Sequence, residues 1–154
     1  MTPRVAVVEP GLASAAAPPY RWPMSGEVHR THARIDHALC GAPKTLGPGT
    51  AEVELLLTEP MRVDDTGLVH GGFLFGLADH AAMLAVNEPT VVLADATMKF
   101  LAPSVVGDTV RAQASVTESS GKRHSVRVDV TCGDKVVAEG SFSCAVPSRH
   151  VLQR

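Results

Sequence analysis

A histidine followed by two glycines, His70-Gly71-Gly72, stands at the head of an apolar run, and an aspartate, Asp79, lies within that run nine residues after the histidine. Gly71 and Gly72 fall where a loop turns into a helix. Their backbone N–H groups therefore have no acceptor inside the helix, and the positive end of the helix dipole adds to them. Without a Cβ, both positions let a ligand oxygen come close to the backbone. Such donors form an oxyanion hole, holding the charge that develops on a carbonyl oxygen under attack. A Gly-Gly pair in isolation is more often a plain tight turn. His70 can orient a substrate or hydrogen-bond its carbonyl, as donor or acceptor, or it can simply cap and pack the helix start.

Asp79 needs a reason to be where it is. A carboxylate in an apolar helix is costly unless it is paired, hydrogen-bonded or protonated. Its neighbours at i±3 and i±4 are Phe75, Gly76, Ala82 and Met83, so its own helix supplies no charged partner. A partly desolvated aspartate suits a general base acting on water, or a nucleophile attacking a carbonyl directly. The plainer alternative is a structural aspartate bonded to backbone N–H groups or hydroxyls across an interface. Nine residues of α-helix rise about 13.5 Å, too far for the helix start and Asp79 of one chain to touch the same reacting carbon. A shared site would therefore take the Gly71 N–H from one protomer and Asp79 from its neighbour, with the helices antiparallel across a two-fold axis.

The elements that would position these groups are legible as periodicities. Val53, Leu55 and Leu57 alternate with Glu52 and Glu54, and the same period of two runs through 92–100, 110–116, 126–131 and 138–144. Each reads as a strand with one buried face. In the segment 92–100 that face is Val92, Ala94, Ala96, Met98 and Phe100. Ser119-Ser120-Gly121-Lys122 and Cys132-Gly133-Asp134-Lys135 carry the Gly and small polar residues that hairpins need. Gly71 to Asn87 is apolar or tiny on every side, which predicts a helix buried all round. Val28, Ile35 and Leu39 at near-helical spacing predict a modest helix over Glu27 to Leu39, stopped by Gly41 and Pro43. Residues 1–26, rich in Ala and Pro, read as a flexible extension, with one domain over 27–150.

Composition removes several classes of function. The 154 residues are 45% hydrophobic and 19% charged, as expected of one globular domain, and the formal net charge is -2. No segment gathers enough Lys and Arg to neutralise a run of phosphates, so nucleic acid is not an expected partner. The longest apolar helical run, 73–86, is short of the roughly 20 residues that cross a bilayer. Cys40, Cys132 and Cys144 are an odd set without metal-ligand spacing, which points to reduced thiols and a cytoplasmic setting. His29, His32 and His37 read as residues of a solvated helix rather than as a metal cluster, because no carboxylate or Cys completes a set. No metal is expected.

A strand, one buried helix and four successive antiparallel strands describe a sheet curled around its helix, the α+β layout of the hotdog fold. The segment Asp64-Asp65-Thr66-Gly67-Leu68-Val69-His70-Gly71-Gly72, with Phe73 to Asp79 after it, resembles hotdog acyl-CoA thioesterases of the phenylacetate-degradation type. The resemblance covers about residues 46 to 146, including Ala96-Thr97-Met98-Lys99-Phe100-Leu101-Ala102-Pro103. It implies hydrolysis of a small or medium acyl-CoA or an aryl-CoA, with Asp79 as catalytic carboxylate and Gly71 as carbonyl-polarising donor. His70 and Gly72 would stand beside the substrate, and coenzyme A would be part of the substrate, with no further cofactor. It also implies a site at a dimer interface, in a homodimer or a homotetramer built from two dimers. One position departs from the pattern. Relatives often have Asn six residues before the His, where this chain has Asp64. Asn donates to a substrate oxygen or holds a water, whereas an ionised Asp only accepts. Asp64 is thus either a contact for a donor or cationic substrate group or a solvated loop acid. Lys122 and Arg123, after the Gly121 turn, match a basic hairpin that in relatives meets the coenzyme A phosphates.

The main alternative is a non-catalytic acyl-CoA or malonyl-CoA sensor, since the hotdog domain of malonyl-CoA-responsive repressors is similar in its strands. Residues 1–45 show no helix-turn-helix, and Asp79 favours an enzyme. A dehydratase or hydratase comes third, lacking the D-x-N-x-x-H pattern or the paired His and Glu those reactions need. Fold analogy alone does not choose among these functions.

Overall fold

The structure, a computed structural model, describes residues 28–153. The expectation for residues 1–26 lies outside them. In chain order the elements are α1 (His37–Cys40), β1 (Ala42–Gly47), β2 (Thr50–Leu56), a 3-10 turn (Glu59–Met61), α2 (Gly71–Val86), β3 (Val92–Phe100), β4 (Thr109–Ser120), β5 (Arg123–Cys132) and β6 (Lys135–Ala145). The strands form one antiparallel sheet in the order β1-β2-β4-β5-β6-β3, and α2 lies chiefly across β2, β4 and β5. This is the hotdog fold.

The alternation read from the sequence places the core. Val53, Leu55, Val110, Ala112, Val126, Val128, Val130 and Phe142 turn inward and are buried. Opposite them α2 presents Leu77, Ala78, Ala81, Ala82, Leu84 and Ala85, also buried. The four alanines let the helix sit close against the sheet, while each buried Val or Leu contributes about 1.5–3 kcal/mol. The two predicted hairpins are present. Gly121 and Gly133 open two-residue turns at φ 59° and 58°, a left-handed conformation that glycine adopts without strain.

Three expectations differ from what is found. β1 was hidden by Pro43, which reads as a breaker but sits in an outermost strand beside a register shift, the kind of place in a sheet that tolerates proline. β3 does not bury a full apolar face: Ala96 and Met98 are half-buried, Ala94 is exposed and Phe100 is 53% exposed. Among the described residues it is the other outermost strand, paired only with β6, and a register shift between Leu93 and Asp95 breaks the alternation.

The helix predicted over Glu27–Leu39 is one turn, His37–Cys40, capped by Asp36, whose side chain accepts from the Ala38 N–H at 2.8 Å. Residues 28–36 form instead an irregular strap held by tertiary bonds. Asn87, the left-handed C-cap of α2 at φ 52°, donates from Nδ2 to the Val28 carbonyl at 2.8 Å and accepts the Arg30 N–H on Oδ1 at 2.9 Å. Those bonds compete successfully with a helix that has little apolar face to bury. Asn87→Ala is expected to cost about 2–3 kcal/mol, from two hydrogen bonds and a left-handed alanine. Asn87→Gly, which keeps the backbone conformation, should cost less. Urea midpoints of the two variants decide this.

Candidate active site

The loop leading to α2 is pinned from two sides. The His70 N–H donates to the Met61 carbonyl at 3.0 Å and the Val69 N–H to the Ser104 carbonyl at 2.9 Å. His70 is thereby held at φ −65°, ψ 130°, an extended residue at the N-cap, and Gly71 begins the helix. Gly71 lines a cleft of about 290 Å³ with Val69, Leu74, Phe100, Leu101, Ala102, Pro103 and Ser104. A Cβ at Gly71 would come within 3.2 Å of the Phe100 ring.

Gly72 has a reason that the spacing alone did not disclose. The His70 ring folds back over the helix start, and a Cβ at Gly72 would meet its Cδ2 at 2.9 Å and its Nε2 at 3.0 Å. The same ring stands edge-on to Phe73, with centroids 6.2 Å apart. The second glycine thus makes room for the histidine.

Asp79 faces a second cleft, of about 420 Å³, lined by Thr31, His32, Met83, Pro89, Thr90, Val91, Val92, Leu93 and His150. No residue is common to the two clefts. One chain therefore brings His70, Gly71 and Gly72 together but not Asp79 with them. Asp79 is half-buried, and its Oδ1 is buried with no hydrogen-bond partner among the described residues. Burial pushes its carboxyl up to about 6. The thiols of Cys40 and Cys144 feel the same setting. Burial first, and then the Asp79 charge, raise both, with Cys144 reaching about 12.

Residues that sequence reasoning missed lie behind and beside this carboxylate. His80, the next residue in α2, is 1% exposed, with its Nδ1 3.0 Å from the Cys40 carbonyl. Burial brings it down to about 4, so it is a neutral imidazole at ordinary pH. The rings of His32 and His37 stack on it at 6.1 and 6.4 Å. The expectation of solvated histidines at 29, 32 and 37 is corrected: all three are half-buried, because the strap folds against α2. Among the described residues no group of three His, Cys, Asp or Glu is arranged to hold a metal. A polar residue inside an otherwise apolar helix, next to the aspartate, was the one available signal for His80. Ser104 is another buried residue, its Oγ unpartnered beside Gly71, and its surroundings become visible only in three dimensions.

Asp64 is exposed and turned back on its own loop, accepting from the Thr66 N–H at 2.9 Å and the Thr66 hydroxyl at 2.5 Å. The hydroxyl bond, then the N–H bond, hold its carboxyl below the usual range. Lys122 and Arg123 are exposed at the tip of the β4-β5 hairpin. Arg123 pairs with Ala145, and Ala145 with Val92, which lines the Asp79 cleft. Two strand spacings, about 9.6 Å, separate this hairpin from that end of the cleft.

Among the described residues no helix is long and apolar enough to cross a membrane. Comparison with known proteins adds the following. The sequence profile of the thioesterase superfamily matches residues 66–139. The chain is 50% identical to an uncharacterised protein of Pyrococcus horikoshii, PH1136, whose crystal structure superposes with a TM-score of 0.82 over 84% of this chain and 99% of that one. A point mutant of the phenylacetic acid degradation protein PaaI from Thermus thermophilus is 31% identical, with a TM-score of 0.66 over 72% of this chain and 96% of that one. Curated relatives are longer. A methylthioribose-1-phosphate isomerase of Aquifex aeolicus is 50% identical over 113 residues, 73% of this chain but 25% of that protein. The transcription factor FapR of Staphylococcus aureus is 30% identical over 77 residues, 50% of this chain and 42% of that protein. The chain thus spans less than half the length of each of these two.

Proposed function

The chain belongs to the hotdog-fold thioesterase superfamily, in its PaaI-like group, and from that premise we propose that it hydrolyses the thioester of a small or medium acyl-CoA or of an aryl-CoA. The observation that carries this reading is Asp79, a carboxylate with a buried, unpartnered oxygen, raised to about 6 and open to a cleft. A base poised near neutral pH is what abstraction of a proton from water needs.

In the proposed reaction one O–H bond of water breaks, its proton passes to Asp79, and the oxygen bonds to the thioester carbonyl carbon. The Gly71 N–H of the neighbouring protomer holds the resulting oxyanion. Collapse breaks the C–S bond, and the proton returns to the departing sulfur, giving free acid and coenzyme A. If Asp79 attacks first as a nucleophile, the same water opens the mixed anhydride, so one water is consumed on either route. His70 and Gly72 shape the oxyanion side, and Asp64 lies on the loop before it. The site is assembled across a two-fold interface in a dimer or a pair of dimers, a reading supported by the separation of the two clefts.

A panel from acetyl- to long-chain and aryl-CoA, assayed for free thiol, tests the proposal. Turnover of at least one member is expected. Tight binding of acyl-CoA with no turnover of any member would favour a second reading, a non-catalytic ligand-binding domain, for which the similarity to a transcription factor speaks.

Lys122 and Arg123 are assigned to the coenzyme A phosphates on their place at the Asp79 end of the sheet. Raising salt should raise KM for acyl-CoA through screening. Replacing both by Gln should raise KM about fivefold at low salt and flatten that dependence. A double variant with unchanged KM and unchanged salt response would remove them from the site.

A further inference from the structure

The strap brings into the Asp79 cleft a histidine, His32, which neither the motif nor the superfamily match marks. Its backbone is left-handed at φ 57°, a conformation that costs a non-glycine residue free energy and that persists where the surroundings impose it. Here they do so from three directions. Thr31, 7% exposed, places its Oγ1 2.8 Å from the His32 Nδ1. The ring rests on buried His80. Asn87 holds the strap on either side of residue 29. A ring fixed through Nδ1 has Nε2 left for a ligand, and burial lowers its pKa, which favours the neutral form.

We propose that His32 is a water-binding residue of the active site, its Nε2 holding the hydrolytic water against the Asp79 carboxylate. The inference rests on the thioesterase reading and deepens it. A water that gives one proton towards Asp79 and is fixed by a second group on the strap has an oxygen lone pair aimed at the carbonyl carbon, as the general-base route requires. Orientation of this kind acts on kcat rather than on KM.

The test compares five substitutions in the full chain, four at His32 and one at Thr31, on whichever acyl-CoA the wild type hydrolyses. Gln places an amide near the position of Nε2, whereas Asn and Gly suit the left-handed backbone but do not reach. His32→Ala, His32→Asn and His32→Gly should each lower kcat about 100-fold with KM changed by less than about twofold, and His32→Gln should recover to within about tenfold of wild type. Thr31→Val, which leaves the ring in place but frees it to turn, should lower kcat about tenfold. Urea midpoints identify any variant that has lost its fold. Activity retained by Asn and Gly but not by Gln would show a backbone role and overturn the proposal. So would a loss confined to KM, or a Thr31→Val protein with wild-type kcat. A wild type that hydrolyses no acyl-CoA is a different result: it removes the thioesterase reading, and the assignment of His32 with it.

Discussion

Asp79→Ala and Gly71→Pro proteins, each inactive alone, are expected to recover about a quarter of the wild-type sites when mixed, partly unfolded and allowed to re-pair. The figure follows from the composite site. Random pairing gives heterodimers in about half of the dimers, and each heterodimer holds one intact site and one site broken on both sides. The substitutions suit the backbone. Gly71 is the first residue of α2, where proline is well accommodated, and His70 before it already has the extended conformation that a following proline demands. The Cβ contact to Phe100 at 3.2 Å falls on a half-exposed ring that can shift. Gly71→Pro therefore removes chiefly one N–H donor. Confirmed, folded heterodimers without activity would sink the shared site. Equal activity of the Gly71→Pro homodimer would remove the donor.

Asp79→Asn should lower kcat by about 10³-fold while making the protein more stable above pH 6. Burial raises this carboxyl to about 6, above its unfolded value, so between about pH 4 and pH 6 the folded chain binds more protons than the unfolded chain. Stability contributed by the protonated acid is present below that window and is lost as pH rises through it. Above it, an ionised and poorly paired Asp79 costs about 1–2 kcal/mol once screening through the open cleft is allowed for. The variant should thus exceed wild type in urea resistance at pH 8 and match it near pH 4. Wild-type kcat should rise through about pH 6 and level off. A variant with full activity, or one that is less stable at pH 8, would contradict the role assigned to Asp79.

The parts that the sequence made legible are those in which residue type repeats with a period. The inward valines of β4 and β5 and the small residues of α2 announce their elements because each one faces the same core. The candidate site was legible only where a motif marks it, at His70-Gly71-Gly72 and Asp79, whose roles stand as proposals. What stayed hidden depends on contacts far apart in the chain. The strap has helix-like spacing, yet Asn87, 57 and 59 residues away, decides its shape. His32 reads as one polar residue among several, and only the docking of its strap, which stacks its ring on His80, brings it into the cleft that Asp79 lines. Pro43 and Phe100 misled for a shared reason: period-2 reasoning assumes that a strand has neighbours on both sides, and β1 and β3 do not.

The open flank of β3 also bears on how this protein fails. Among the described residues, its nine residues of backbone have N–H and C=O groups paired on one side only, with half-exposed Phe100 and Leu101 at the end. Such a flank is a template for any extended chain that it meets. Aggregation, more than melting of the helix, is then the hazard of mild heating. Mixing experiments should accordingly be brief and cold, with light scattering as the control, and charged substitutions along this flank should raise solubility.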